Sequence, residues 1–138
     1  MTDRQIYLTD NDRKRLEELL AVAATFNYRD RNDLKTLASE LQRAKVVGSR
    51  EVSARIVTMN SRVKLRDLDT KAEMELTLAF PSEADVDAGK ISVLSPVGTA
   101  ILGYGEGDTV IWTVPAGTRR LMIEKILYQP EAAGDFHL

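Results

Sequence analysis

The apolar residues of this chain change their period once, at Val47-Gly48-Ser49, and few folds accommodate such a change. Upstream they return every three or four residues, as on one helix face; downstream they alternate, as on one strand face. Thr9 opens the first stretch as an N-cap residue, with Asp12 at capping-box spacing. Leu16, Leu19, Leu20, Ala23 and Phe26 then mark one helical face, and Arg13, Lys14, Glu17 and Glu18 fall mostly off it. After a polar break at 27–32, Asp33 can cap a second helix whose seam is Leu34, Leu37, Leu41 and Ala44. Each helix would run about 14–16 residues, or roughly 21–24 Å. The short loop between them makes an antiparallel hairpin, too short to stand as an isolated coiled coil.

Beyond the change, Val52, Ala54, Ile56 and Thr58 alternate and predict a strand, with a turn or bulge at Asn60-Ser61. Val63 and Leu65, then Met74, Leu76, Leu78 and Phe80, predict two more, and Ile91-Ser92-Val93 a short one. Ser95-Pro96 reads as N-cap and first residue of a short helix over 97–102. Strong strands follow at 109–114 and 121–128, joined by a turn at Pro115-Ala116-Gly117, and the tail from Gln129 reads as irregular. The fold class is therefore α+β. Residues 1–47 form a short antiparallel helical hairpin, and 48–138 an antiparallel sheet domain with one short helix.

The stretch Gly103-Tyr104-Gly105-Glu106-Gly107-Asp108 has the glycine density of a phosphate cradle. Such a cradle runs strand, loop, helix, so that the helix N-terminus meets the anion. The order here is helix, glycines, strand. Gly103 stands where a helix ends, Gly107-Asp108 turns into the next strand, and Glu106 and Asp108 would repel phosphate.

Composition removes several function classes. The 138 residues carry 19 Lys+Arg against 21 Asp+Glu, without the basic excess of a protein that neutralises nucleic-acid phosphates. With no cysteine, thiolate catalysis and Cys-ligated zinc are impossible. The N-terminal MTDRQIYLTD has no apolar signal-peptide core, and no run reaches the ~20 apolar residues of a membrane helix. The expectation is a cytoplasmic protein.

The segment Ile91 to Tyr128, ISVLSPVGTAILGYGEGDTVIWTVPAGTRRLMIEKILY, resembles the C-terminal domain of the bacterial Gre transcript-cleavage factors. The shared frame is IS-x-x-SP-x-G-x-A-x-x-G-x-x-x-GD, a strand, P-x-G and a final strand. VTMNSRVKLRDL (57–68) and YQPEAAGDFHL (128–138) are similar to the Rnk branch of that family, the regulators of nucleoside diphosphate kinase. The resemblance spans nearly all of 47–138 and is weaker over the helices.

It implies an FKBP-like sheet domain and a non-enzymatic, monomeric partner of RNA polymerase that needs no cofactor. The hairpin would point into the polymerase secondary channel, and any DNA or RNA contact would occur only within that complex. It implies polymerase contact at Leu94, Ser95 and Pro96, although Gre proteins often carry a polar residue where this chain has Leu94. At the hairpin tip it places Asp30 and Asp33 at the spacing of the Gre acidic pair, which helps hold a metal ion in the polymerase active site. The second acid here is Asp rather than Glu, the arm is short for that reach, and Rnk-type proteins are not thought to stimulate cleavage. Competition with Gre factors for the channel would follow, with an indirect effect on nucleoside diphosphate kinase. The resemblance leaves two other readings open: transcript cleavage through the tip acids, and peptidyl-prolyl isomerisation on the FKBP-like fold, for which 3 Phe, 4 Tyr and 1 Trp offer few pocket aromatics. A direct kinase- or nucleoside-binding module is a further one.

Each remaining candidate also has a structural explanation. Asp33 can be an N-cap, Asp30 a turn residue, and Ser95-Pro96 a capped helix start. His137, the single histidine, stands one residue from the end, and Trp112 reads as a packing residue. Arg62, Lys64 and Arg66 share one strand face, either solvated or a basic contact surface.

Overall fold

The computed structural model describes residues 6–25, 32–114 and 117–135. Two helices, α1 (Asp10–Thr25) and α2 (Asn32–Arg43), form the arm. The hydroxyl of Thr9 accepts the Asp12 N–H at 3.0 Å, which caps α1 as the sequence predicts. Leu16, Leu37 and Leu41 of the two seams are buried, and Leu19 and Leu20 pack against them. Ala23 and Phe26 lie outside the residues whose side chains are described.

Two short strands that periodicity did not reveal flank the arm. β1 (Tyr7–Thr9) and β2 (Lys45–Val47) pair in parallel, Tyr7 opposite Lys45 and Thr9 opposite Val47. Three-residue strands are too short to show alternation. They tie the two ends of the arm together.

The main sheet has the order β5-β4-β3-β7-β6. Its strands are β3 (Arg62–Asp67), β4 (Glu73–Ala79), β5 (Lys90–Ser92), β6 (Thr109–Val114) and β7 (Gly117–Tyr128). Between β5 and β6 runs α3 (Pro96–Ile101), and α4 (Pro130–Ala133) follows β7. β3, β4, β6 and β7 pair antiparallel, but β5 lies parallel to β4, so the sheet is mixed rather than antiparallel throughout. The expected strand over 52–58 does not form. Its amides turn back on the chain, Glu51 and Val52 N–H to the Gly48 carbonyl and Ile56 N–H to Ser53, and only Ile56 makes a bridge, to Gly105. The tail is helical rather than irregular, because Gln129 Oε1 accepts the Ala132 N–H and Gly134 closes the turn at φ 82°.

One hydrophobic cluster joins both halves. Ile6, Leu8, Leu16, Leu37 and Leu41 pack with Val57, Met59, Val63, Leu65, Leu78, Ile101, Leu121 and Ile123, each no more than 3% exposed. Burying the five upstream side chains is worth roughly 10 kcal/mol in transfer free energy. That rivals the ~5–15 kcal/mol net stability of a whole domain, so the base of the arm and the sheet should unfold together. No helix among the described residues is long and apolar enough to cross a membrane.

Candidate functional site

Ser92, the last residue of β5, organises the loop into α3. Its Oγ accepts the Leu94 N–H at 3.0 Å, and its carbonyl accepts both the Ser95 N–H (3.0 Å) and the Ser95 hydroxyl (2.7 Å). Ser95 Oγ in turn accepts the Gly98 N–H at 3.1 Å, the N-cap bond expected of it, and Pro96 is the first helical residue. The buried Thr99 hydroxyl donates to the Val93 carbonyl at 2.6 Å. A Cβ on Gly98 would stand 2.3 Å from the Ser92 carbonyl oxygen, so this closure admits only glycine there. Leu94 and Ser95 are half-buried, with Leu94 packed against the core; the Pro96 side chain lies outside those described. Ser92 and Gly98 stand in the IS-x-x-SP-x-G frame, but their part in closing the loop, and that of Thr99, was not read from the sequence, although the Ser-x-x-Ser-Pro spacing carries the signal.

Of the two tip acids, Asp30 lies outside the described residues. Asp33 is inside the first turn of α2, which begins at Asn32, so it is not the N-cap expected of it. Its side chain is not among those described, nor are those of Trp112 and His137. No group of three or more His, Cys, Asp or Glu among the described residues is placed to hold a metal ion.

The glycine stretch 103–108 has no free donors for an anion. Gly103 N–H donates to Val57, Tyr104 to Ile101, Glu106 to Arg55, Gly107 to Ile123 and Asp108 to Gly105, and Gly105 N–H donates to the Asp108 carboxylate at 2.8 Å. Gly103 at φ 83° follows α3 and lets Ile6 approach within 2.8 Å of where its Cβ would be. Glu106 accepts the Ile126 N–H at 2.9 Å, beside the shifted register of β7 against β3.

Arg62, Lys64 and Arg66 do share the outer sheet face, but each meets carboxylates there. Arg62 pairs with Glu75 at 2.8 Å; Lys64 pairs with Glu73 and Glu124 at 3.5 and 3.4 Å; Arg66 pairs with the same two at 2.7 Å each. The Arg66 hydrogen bond holds the Glu73 carboxyl below its ordinary range, and the Glu124 bond raises Lys64. A face so compensated is a poor phosphate reader.

Asp12 serves the junction rather than a capping box. Fully buried, it accepts the Met59 N–H at 2.9 Å and Arg15 Nη2 at 2.8 Å, while Arg15 lies 4.7 Å from the Phe80 ring centre. Burial, with a smaller contribution from the Glu131 charge, pushes its carboxyl up to about 6 against the opposing Met59 and Arg15 bonds. Nearby, Gln129 Nε2 donates to the Ser53 and Ile56 carbonyls at 2.7 Å, and the Thr58 hydroxyl donates to Glu131 at 2.7 Å. At the chain's far end Asp135 accepts the Tyr128 hydroxyl, which raises that phenol to about 12.

Residues 52–128 match the family description "Transcription elongation factor, GreA/GreB, C-term", and residues 4–47 match "Rnk N-terminus". Over an alignment of 139 positions that covers all of both chains, this chain is 37% identical to "Regulator of nucleoside diphosphate kinase" of Escherichia coli (strain K12). It is 41% identical over 100 residues to the transcription elongation factor GreA of Desulfotalea psychrophila, covering 72% of this chain but 59% of that one. Among solved structures, a GreA/GreB elongation factor from Nitrosomonas europaea superposes with a TM-score of 0.74 at 37% identity, over 90% of this chain and all of that one.

Proposed function

The chain belongs to the GreA/GreB transcription elongation factor family and is an Rnk-type regulator within it; from that premise we propose that it binds RNA polymerase at the secondary channel and competes there with Gre factors without itself cleaving RNA. The Leu94–Pro96 loop grips the polymerase and the arm points inward. The observation that carries this reading is the loop's closure. Ser92, Ser95 and Thr99 hold it in one conformation through five hydrogen bonds, so little ordering entropy opposes docking.

The absence of cleavage is read from arm length. α1 and α2 have 16 and 12 residues, about 24 and 18 Å. The match covers all of the Rnk-type relative but only 59% of the GreA relative. Asp30 and Asp33 then act as tip residues that approach the active site without completing its chemistry. The sheet domain is read as FKBP-like and the protein as monomeric on the same family ground. Any effect on nucleoside diphosphate kinase is indirect, through transcription.

The test uses purified core polymerase and backtracked complexes. The chain should bind the polymerase, produce no cleavage alone, and suppress GreA-stimulated cleavage in a dose-dependent way. Leu94→Asp should weaken binding at least tenfold while the far-ultraviolet spectrum stays unchanged. Absence of polymerase binding overturns the proposal, and cleavage by the chain alone would assign the tip acids a catalytic part instead.

A further inference from the structure

Between the parallel β1–β2 pair and the turns at 48–56 lies a cavity of about 340 Å³, lined by Tyr7, Val47, Glu51, Val52, Ser53 and Ile56. We propose that it receives an arginine side chain from a protein partner. The site is separate from the Leu94–Pro96 loop and does not depend on the polymerase reading.

Three features select this occupant. The apolar side chains of Val47, Val52 and Ile56 offer a surface for an aliphatic stem. Glu51 supplies the charge. Its carboxylate lies over Gly48, with Oε1 2.9 Å from where a Cβ would stand, and makes no ion pair among the described residues. Lys45, close in sequence, makes no ion pair with it among the described residues, whereas Glu106 takes Arg55 and Glu40 takes Arg43. Tyr7 adds an aromatic residue to the lining.

Other ligand classes fit worse. An anion or nucleotide phosphate would meet Glu51, and a purely apolar group would dehydrate that carboxylate without compensating it. A planar guanidinium can stack on an aromatic ring and bond a carboxylate with two N–H groups, which an ammonium cannot.

The test is a titration of the full chain, observed through the methyl resonances of Val47, Val52 and Ile56, with N-acetyl-arginine methylamide. The neutral isostere N-acetyl-citrulline methylamide is the control. The arginine compound should shift all three residues saturably at millimolar concentration, about fivefold more tightly than citrulline, the scale of an exposed ion pair. Glu51→Gln, a change at an exposed turn, should bring the two compounds to equal affinity. Absence of saturable shifts, equal affinities in the unsubstituted chain, or a preference that survives Glu51→Gln would each overturn the proposal.

Discussion

Replacing Asp12 with Asn separates the charge of the arm's root from its shape. Asn keeps an oxygen for the Met59 N–H, loses the charge that pairs with Arg15, and does not titrate. The wild-type carboxyl rises from 3.8 to about 6, so the folded chain holds its proton over a pH range in which the unfolded chain has released it. The sign follows from linkage. Well below 3.8 both states are protonated and Asp12 costs nothing; as pH rises through 3.8 toward 6 the unfolded state gains, and above about 6 the cost levels off. The span from 3.8 to about 6 is worth about 3 kcal/mol, of which about 1 is already lost by pH ~4.5 and about 2 is lost between pH ~4.5 and ~7.5. Unfolding free energies of both chains would be measured in urea by Trp112 fluorescence, with ellipticity as a second probe. All other carboxylates are common to both chains and largely cancel in the difference. Wild type minus Asp12→Asn should therefore fall by about 2 kcal/mol from pH ~4.5 to ~7.5. A difference that stays within about 0.5 kcal/mol, or that moves the other way, refutes the assignment of Asp12 as a carboxylate burdened by burial.

Gly98→Ala sets a methyl 2.3 Å from the Ser92 carbonyl and must open the loop; the cost should be at least about 2 kcal/mol by thermal unfolding, and wild-type stability would disprove the close approach. Gln129→Ala strips two carbonyls and one amide of their partner at a site 3% exposed, which should cost about 2–4 kcal/mol in denaturant; a loss under about 0.5 would mean that water replaces the amide fully. Arg66→Gln removes two short ion pairs on a solvated face, yet stability should change by less than about 1 kcal/mol, because exposed pairs gain little over hydration. A larger loss would show the outer network acting as a unit.

Features set by local chemistry were legible in the sequence: the Thr9 and Ser95 caps, Gly103 after α3, and the β6–β7 pairing across residues 115–116. Features set by distant partners were not. Val52, Ala54, Ile56 and Thr58 alternate as a strand does, yet Ala54 is exposed and Val57, Thr58 and Met59 are buried in succession, because the amides there close turns and the chain dives into a core built by distant elements. Asp12 looked like a cap partner because its true partner, the Met59 amide, lies 47 residues away. The direction of β5 depends on the turns at Pro81–Glu83 and Val86–Ala88, whose 3-10 geometry leaves no periodic trace in three residues each. The basic alternation on β3 was visible, but its compensation by Glu73, Glu75 and Glu124 required knowing which strands lie beside it.

The helix α3 joins the two parts on which the functional reading rests. At its start Ser95 and Ser92 close the Leu94–Pro96 loop. At its end the Gly103 carbonyl accepts the Tyr7 N–H at 3.1 Å, and the bare Gly103 Cα lets Ile6 in, so the strand that leads into α1 is bonded to the residues that follow α3. Six helical residues span about 9 Å, too short a rod to bend. Next to Gly103, Arg43 at the end of α2 donates to the Tyr104 hydroxyl at 3.0 Å, which holds the second arm helix to the same place. Both arm helices are therefore fixed to one end of a short rigid element whose other end carries the proposed docking loop. The bearing of the arm relative to the docked surface is then set by α3 together with the Asp12–Met59 bond, rather than by the turns at 48–56. Lengthening those turns by a few residues should leave the bearing unchanged, whereas loosening either end of α3 should not.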